Sequence, residues 1–367
     1  MDDYGEEWEV FHGTFDGAVT YAKLADGAKF AGNNIIINGN MDVAQRGTSF
    51  ASPVNNAYTI DRFQWNFSGA GAVTITQDSA SVPDGSEFAL KVAVTTADTS
   101  LAAGDLYGLQ YRVEGKDVAA VKFGLSTAEQ ITLSFWVRST VTGTYHVAFR
   151  NSASNRSYPA SYTINAADTW EFKTITLTGD ITGTWNDSEN TVGLFLFFTL
   201  AAGSTVQGTA NEWQAGNVNS ASGAANAMSS TSNTFHITQV QLVVGAEAPR
   251  FQQRPIGEEF ALCQRYANNH NLATDGAATG MCVLTTAARC VLPLSTRMMK
   301  APVVTYSSGA SGYTALNAGG ANLTSTSITT SSADTTSLTF QLTVASGLVQ
   351  GNATLITGGS MLLDAEL

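Results

Sequence analysis

Aromatic side chains are the residues of this sequence best suited to chemistry. Trp65, Trp136, Trp170, Trp185 and Trp213 fall between residues 34 and 248, with Tyr58, Tyr107, Tyr111, Tyr145, Tyr158 and Tyr162 among them. Sugar rings present apolar C–H faces that stack on aromatic planes, while amides, carboxylates and guanidinium groups bond the hydroxyls. Aromatics on a sheet face or in a loop therefore suit glycan recognition. Sheet cores also use tryptophan, so Trp136 and Trp170, set in alternating text, read first as structural. Trp185 (GTWND) and Trp213 (NEWQ) stand in polar, turn-like text that favours exposure. The candidate ligand-binding residues are Trp185, Trp213, Trp136 and Tyr145.

Catalytic signatures are missing. There is no GxSxG elbow, HExxH, P-loop or GxGxxG. The histidines His12, His146, His236 and His270 have no Cys or His at metal-binding spacing. His146 alternates with the inward Tyr145 and Val147, which predicts that it faces outward. A glycosidase needs two carboxylates about 5–10 Å apart, and the sequence marks no such pair. Asp61, Asp105, Glu114 and Glu171 read as surface acids. The absence of a 20–30-residue repeat counts against a long polysaccharide-cleaving β-helix. The expectation is a protein that is not an enzyme. Cys263, Cys282 and Cys290 form no CxxC pair and read as buried free thiols of a reducing compartment, one disulfide being the alternative.

The elements that must position these residues are strands. Ile131, Leu133, Phe135 and Val137 share one face of Ile131–Ser139, and Tyr145, Val147 and Phe149 repeat the pattern. Further strands are expected at 73–77, 89–95, 109–113, 170–178, 192–200 and 235–244, separated by Gly, Asn, Asp and Ser turns. The run 192–200 is apolar on both faces and suits a central strand. Eight or more antiparallel strands make an all-β, two-sheet sandwich of jelly-roll type over residues 34–248. Residues 203–234, rich in Gly, Ala, Asn, Ser and Thr, break the rhythm and read as a mobile linker or a binding loop. After Pro249 the spacing of Phe260, Cys263 and Ala267, behind Glu258 and Glu259, predicts one helix over 258–268. It leads a smaller β domain over 249–367, whose sparse apolar content hints at a core shared between subunits.

Composition narrows the function. The chain has 367 residues and a net charge of −12, with 13% charged and 44% hydrophobic residues. That excludes a clustered basic footprint for nucleic acid and argues against disorder. The strongest apolar run, Leu194 to Leu200, falls far short of the about 20 residues needed to span a membrane. The acidic N-terminus lacks the pattern of a signal peptide, and residues 1–33 are too short for a core of their own, so they are expected to pack on another copy or a larger assembly.

Several segments resemble known proteins. NIIINGNMDVAQRGTS (34–49) is similar to the opening strand of carbohydrate-binding-like jelly-roll domains, in the version found in phage tail and virion proteins. YTIDRFQW, ITLSFWVRS, WEFKTITLTGD and FHITQVQLVVG resemble later strands of the same pattern, in order. AKLADGA (22–28) resembles the TAKLADGAVT phrase near the N-termini of phage tail fibres. FQQRPIGEEFALCQRY (251–266) closely resembles the FEQRPIGEELALCQRYY segment of tail-fibre-like and other virion proteins. The resemblance implies a bacteriophage virion protein, assembled in the host cytoplasm, with residues 1–33 as the attachment segment to other tail or capsid proteins. It implies a homotrimer and a host-surface polysaccharide as partner, without nucleic acid or membrane insertion. Relatives of the jelly roll often hold a structural Ca2+ with an acid after the NG turn and acids in the closing strand. Asp42 matches the first, while Thr238 and Gln239 stand in place of the second. Alternatives to a tail-fibre adhesin are a capsid decoration or head-fibre protein with a purely architectural jelly roll, and a carbohydrate-binding module of a cellular enzyme.

Overall fold

Period-two alternation, broken by short polar turns, produces fifteen strands between residues 34 and 245 of the computed structural model, which describes residues 34–367 except 276 and 318. They begin with β1 (Ser49–Ala51), β2 (Ala57–Tyr58), β3 (Phe63–Ser68), β4 (Ala72–Asp78) and β5 (Ala89–Thr96). Then follow β6 (Leu106–Glu114), a helical turn α1 (Gly115–Val118), β7 (Ile131–Ser139), β8 (Gly143–Arg150), β9 (Arg156–Ile164) and β10 (Glu171–Leu177). The last are β11 (Val192–Ala202), β12 (Gln207–Gly208), β13 (Gln214–Ala215), β14 (Ser220–Ala221) and β15 (Thr234–Val244). The attachment role expected of residues 1–33 falls outside the described residues.

One sheet has the order β1-β4-β5-β15-β7-β10 and the other β13-β9-β8-β11-β6-β3-β2. They face each other as a jelly-roll sandwich. Ile131, Leu133, Phe135 and Val137 meet Tyr145, Val147 and Phe149 in the core between them, each such side chain contributing roughly 1.5–3 kcal/mol on burial. Strand β11 lies between β6 and β8, the central place that a run apolar on both faces requires. Strand β9 is absent from the sequence reading because Pro159 interrupts it. Only the two-residue β13 borders it on the outer side, and a missing N–H is tolerated so near an edge.

The opening segment is not the regular strand its resemblance implies. It runs along β15 through isolated bonds, Ile35 N–H to Leu242 O (2.9 Å) and Val240 N–H to Gly39 O (2.8 Å). Asn38 and Met41 take φ values of 59° and 63°, which interrupts the ladder. Gly39 is required by close approach, since a Cβ there would lie 2.0 Å from Val240 O.

Beyond residue 249, α2 (Ile256–Gln264) carries Glu258 and Glu259 in its first turn. It stops short of the expected 268 because Ala267–Asn271 pairs with the C-terminal strand as β16. There follow β17 (Ala278–Leu284), β18 (Ala287–Pro293), β19 (Val303–Tyr306) and β20 (Thr314–Leu316). Then come β21 (Asn322–Ala333), β22 (Ser337–Val344), β23 (Ala353–Thr357) and β24 (Ser360–Asp364). Six of these close into a barrel, β17-β18-β22-β21-β20-β23, beside a small sheet β16-β24-β19. The barrel has a core of its own in Leu338, Phe340, Leu342 and Ile356. Cys263, Cys282 and Cys290 are buried and unpaired.

The segment 251–266 is the joint between sandwich and barrel. Arg254 donates to the carbonyls of Asn34 and Ile36 and to Glu259, which accepts from Asn38 N–H. Arg265 and Tyr266 converge on Glu114, at 2.7 and 2.8 Å. The buried Arg62 guanidinium lies 3.5 Å from the Tyr266 ring centre and pairs with Glu366. Asp61 and Glu114, expected as surface acids, are therefore buried structural groups. Burial pushes Asp61 up to about 6, against the pull of Arg46 and Gln45. Burial also acts to raise Glu114, but bonds from Arg265, Asn190 N–H and Tyr266 outweigh it and hold the carboxyl below its ordinary value.

Candidate functional site

Loops at one end of the sandwich bring four rings together. The β6–β7 loop supplies Phe123, the β10–β11 loop Trp185, the 203–234 segment Trp213 and strand β9 Tyr158. Ring centres lie 4.7 Å apart for Phe123–Trp185, 5.5 Å for Trp185–Trp213 and 5.2 Å for Tyr158–Trp213. All three pairs are edge-to-face, the arrangement that ring quadrupoles favour.

Asp180 organises the cluster. Its carboxylate accepts two bonds from Arg156 (2.8 and 2.6 Å), two from Thr182, and one from Trp185 Nε1 (3.2 Å). Burial alone would raise its pKa, but the Arg156 and Thr182 bonds outweigh that and hold it below the ordinary range. Trp213 Nε1 donates to Thr178 O at 2.8 Å, so the polar edges of both indoles are held by the same loop. Gly124 has a φ of +85°, and a Cβ there would lie 2.9 Å from Gly183 O. Only glycine lets the two loops touch in that conformation. Beside the rings opens a cleft of about 290 Å3, lined by Lys122, Phe123, Leu125, Trp185, Asn186 and Asp187. It offers an apolar platform with an ammonium, an amide and a carboxylate around it.

Trp185 and Trp213 thus meet, as their shared polar setting allows. Trp136 lies elsewhere, half-buried on the outer face of the other sheet beside Phe172, with ring centres 5.6 Å apart. Tyr145 must be withdrawn as a ligand contact. It is 1% exposed, its hydroxyl donates to Val141 O, and it packs in the core against Tyr162. Phe123 was missed because it carries no such signal: the surrounding AAVKFGL (119–125) is apolar text that reads as core.

Within residues 203–234, Asn217–Ser220 cover part of the outer face of the seven-stranded sheet, β13 extends its edge, and Ala227 and Met228 enter the core. Asn217 accepts from Arg150, Thr199 Oγ1 donates to Asn219 O, and Ser220 Oγ meets His146 Nδ1 at 3.1 Å. His146 does point out of the sandwich, yet it is buried beneath this cover.

The surroundings of Asp42 do not fit the calcium that the resemblance implies. Asn40 Nδ2 donates to both Asp42 carboxylate oxygens at 3.2 Å, and Gln77 Nε2 donates to Met41 O at 2.6 Å. Gln239 Nε2 donates to Asp84 O (2.8 Å) and Ser86 Oγ (3.0 Å). The oxygens a hard cation would need already receive amide hydrogens. Among the described residues no group of three or more His, Cys, Asp or Glu is placed to hold a metal, and no helix is long and apolar enough to cross a membrane.

No family model and no curated protein matches the chain. Among solved structures, a putative sugar binding protein from Bacteroides thetaiotaomicron is similar over 58% of this chain and 100% of its own, at 13% identity and a TM-score of 0.33. A family 11 carbohydrate-binding module from Clostridium thermocellum, in complex with a mixed-linked tetrasaccharide, is similar over 55% and 99%, at 11% identity and a TM-score of 0.29. The enzymatically active domain of bacteriophage CBA120 tailspike protein 4 is similar over 53% of this chain, at 11% identity and a TM-score of 0.30. The match spans only 21% of that tailspike domain. Likenesses this slight say nothing about activity.

Proposed function

We propose that the chain is a non-catalytic glycan-binding protein of a bacteriophage virion, of tail-fibre type, whose rim cluster of Phe123, Trp185, Trp213 and Tyr158 docks a host-surface polysaccharide. The observation that carries this is the meeting of aromatics from separate loops beside a cleft that also presents Lys122, Asn186 and Asp187. Asp187 is the one acid lining that cleft, whereas glycoside hydrolysis uses two. The AKLADGA and FQQRPIGEEFALCQRY phrases support the virion setting, with residues 1–33 as attachment segment and assembly in the host cytoplasm. Met281, Val291 and Leu355 face outward on adjacent barrel strands and support association of copies, in this reading a homotrimer. Three shallow sites per fibre would raise effective affinity by about 10²–10⁴.

Affinity electrophoresis through gels containing host polysaccharide tests the reading. The parent protein should be retarded, and Trp185→Ala and Trp213→Ala should each run with loss of most of that retardation. Equal retardation of parent and both variants would exclude the cluster. The partly covered outer face of the seven-stranded sheet favours a second reading, a purely architectural jelly roll. That reading expects no retardation of the parent.

A further inference from the structure

A second cavity, about 470 Å3, opens where α2, β16 and the end of β18 meet, and shares no lining residue with the aromatic cluster. Its volume falls in the range of small-molecule sites, about 300–1,000 Å3. Helix α2 turns Cys263 into the joint and leaves Phe260 40% exposed at the cavity wall. Most polar groups nearby are committed. Gln264 Oε1 accepts from the Ser295 and Thr296 hydroxyls (3.3 and 3.4 Å), and Asn269 bonds Gln45 through both its backbone N–H and Nδ2.

Asn268 is different. It is 4% exposed and lines the cavity, yet its side-chain amide has no hydrogen-bond partner among the described residues. Its amide atoms are not among the fully buried ones that lack a partner, so they open to the cavity, and an amide of this kind reads two adjacent hydroxyls through one donor and one acceptor. Asp275, which also lines the cavity, is pinned by Asn271 N–H and the Thr274 hydroxyl, both at 2.9 Å. The Asn271 bond first, and the Thr274 bond with it, hold its carboxyl below the ordinary range. No lysine or arginine lines the cavity, and its one imidazole, His270, already acts on Asp275, so no cation is left over for an anionic ligand.

We propose that this cavity is a second sugar site, taking one neutral pyranose ring whose C–H face rests on Phe260 and whose vicinal hydroxyls bond Asn268 and Asp275. It rests on the reading of the chain as a glycan binder, but not on the rim cluster. Sugar rings stack on an aromatic face without requiring charge, and the surrounding amides supply the orientation.

Saturation-transfer NMR on the full chain tests it, with methyl glycosides of glucose, galactose and mannose as probes and methyl glucuronoside as the charged comparator. Neutral glycosides should receive saturation, and the glucuronoside should receive markedly less. Phe260→Ala should weaken binding about ten-fold, the equivalent of one lost stacking contact. The near-isosteric Asn268→Leu should weaken it comparably, and Trp185→Ala, which removes the rim contribution, should leave a residual signal that adding Phe260→Ala then abolishes. No transfer to any neutral glycoside overturns the proposal, as does a signal lost in Trp185→Ala but kept in Phe260→Ala. That last result would leave the rim cluster standing alone. Should Phe260→Ala fail to melt cooperatively, the side-chain amide resonance of Asn268 in the parent decides, and its failure to shift on titration with the glycosides likewise overturns the site.

Discussion

Asp180 fixes the rim cluster at the residue scale, because Arg156, Thr182 and Trp185 all bond its two oxygens. Its folded pKa is depressed below the ordinary 3.8. The stabilisation is therefore complete above that value and is lost as pH falls through the folded pKa. Asp180→Asn should lower stability by about 2–4 kcal/mol at pH 7, since it leaves Arg156 without its partner. The gap to the parent should begin to narrow only below about pH 3.8 and should close as pH falls through the folded pKa. Urea unfolding from pH 7 down to about pH 2 measures both, and a gap that does not change with pH would contradict the account. At Asp42 the expectation concerns a metal. Because amide hydrogens occupy the oxygens around it, millimolar Ca2+ or EDTA should move Tm by less than about 2 °C, where a tight structural site moves it by far more.

Elements show what alternation can and cannot reveal. A pleated sheet buried on one face imposes period two, so Ile131–Ser139 and its neighbours were legible to within a residue or two. Gly39 was legible as a turn, but its reason, the Val240 carbonyl beneath it, belongs to a strand some 200 residues away in the chain. Gly39→Ala should cost about 1–3 kcal/mol through overpacking, read as a lower urea midpoint with an unchanged slope. The 203–234 segment has no period, and nothing in a Gly, Asn and Ser run says what it lies against. Helix α2 was overextended for a similar reason, since Ala267 fits a helical stripe equally well until β24 pairs with it. The rim cluster was half legible. Polar context marked Trp185 and Trp213 separately, while their contact, and Phe123 between them, depends on loop ends that only the closed sandwich brings together.

At the scale of the molecule, the described chain beyond residue 33 is one compact unit, and the shared core of Ile37, Val43, Cys263, Tyr266 and Met299 shows why. Arg62 is its polar pin. Arg62→Leu should leave Glu366 buried without its nearest cation, cost about 3–5 kcal/mol, and split a single calorimetric transition into two, one for the sandwich and one for the barrel. A single transition in the variant would place the coupling elsewhere. Association of copies, as proposed, should appear as a trimeric mass by light scattering, and Leu355→Lys on the outward barrel face should lower that mass. The cover over the seven-stranded sheet carries one more consequence. Because the molecule upholsters that face of the seven-stranded sheet itself, a ligand of the proposed rim cluster must be met at the sandwich's end, by the tips of loops whose roots pack into the core. In the proposed reading, specificity can then drift by rewriting those tips, while the roots and the strands beneath them stay unchanged.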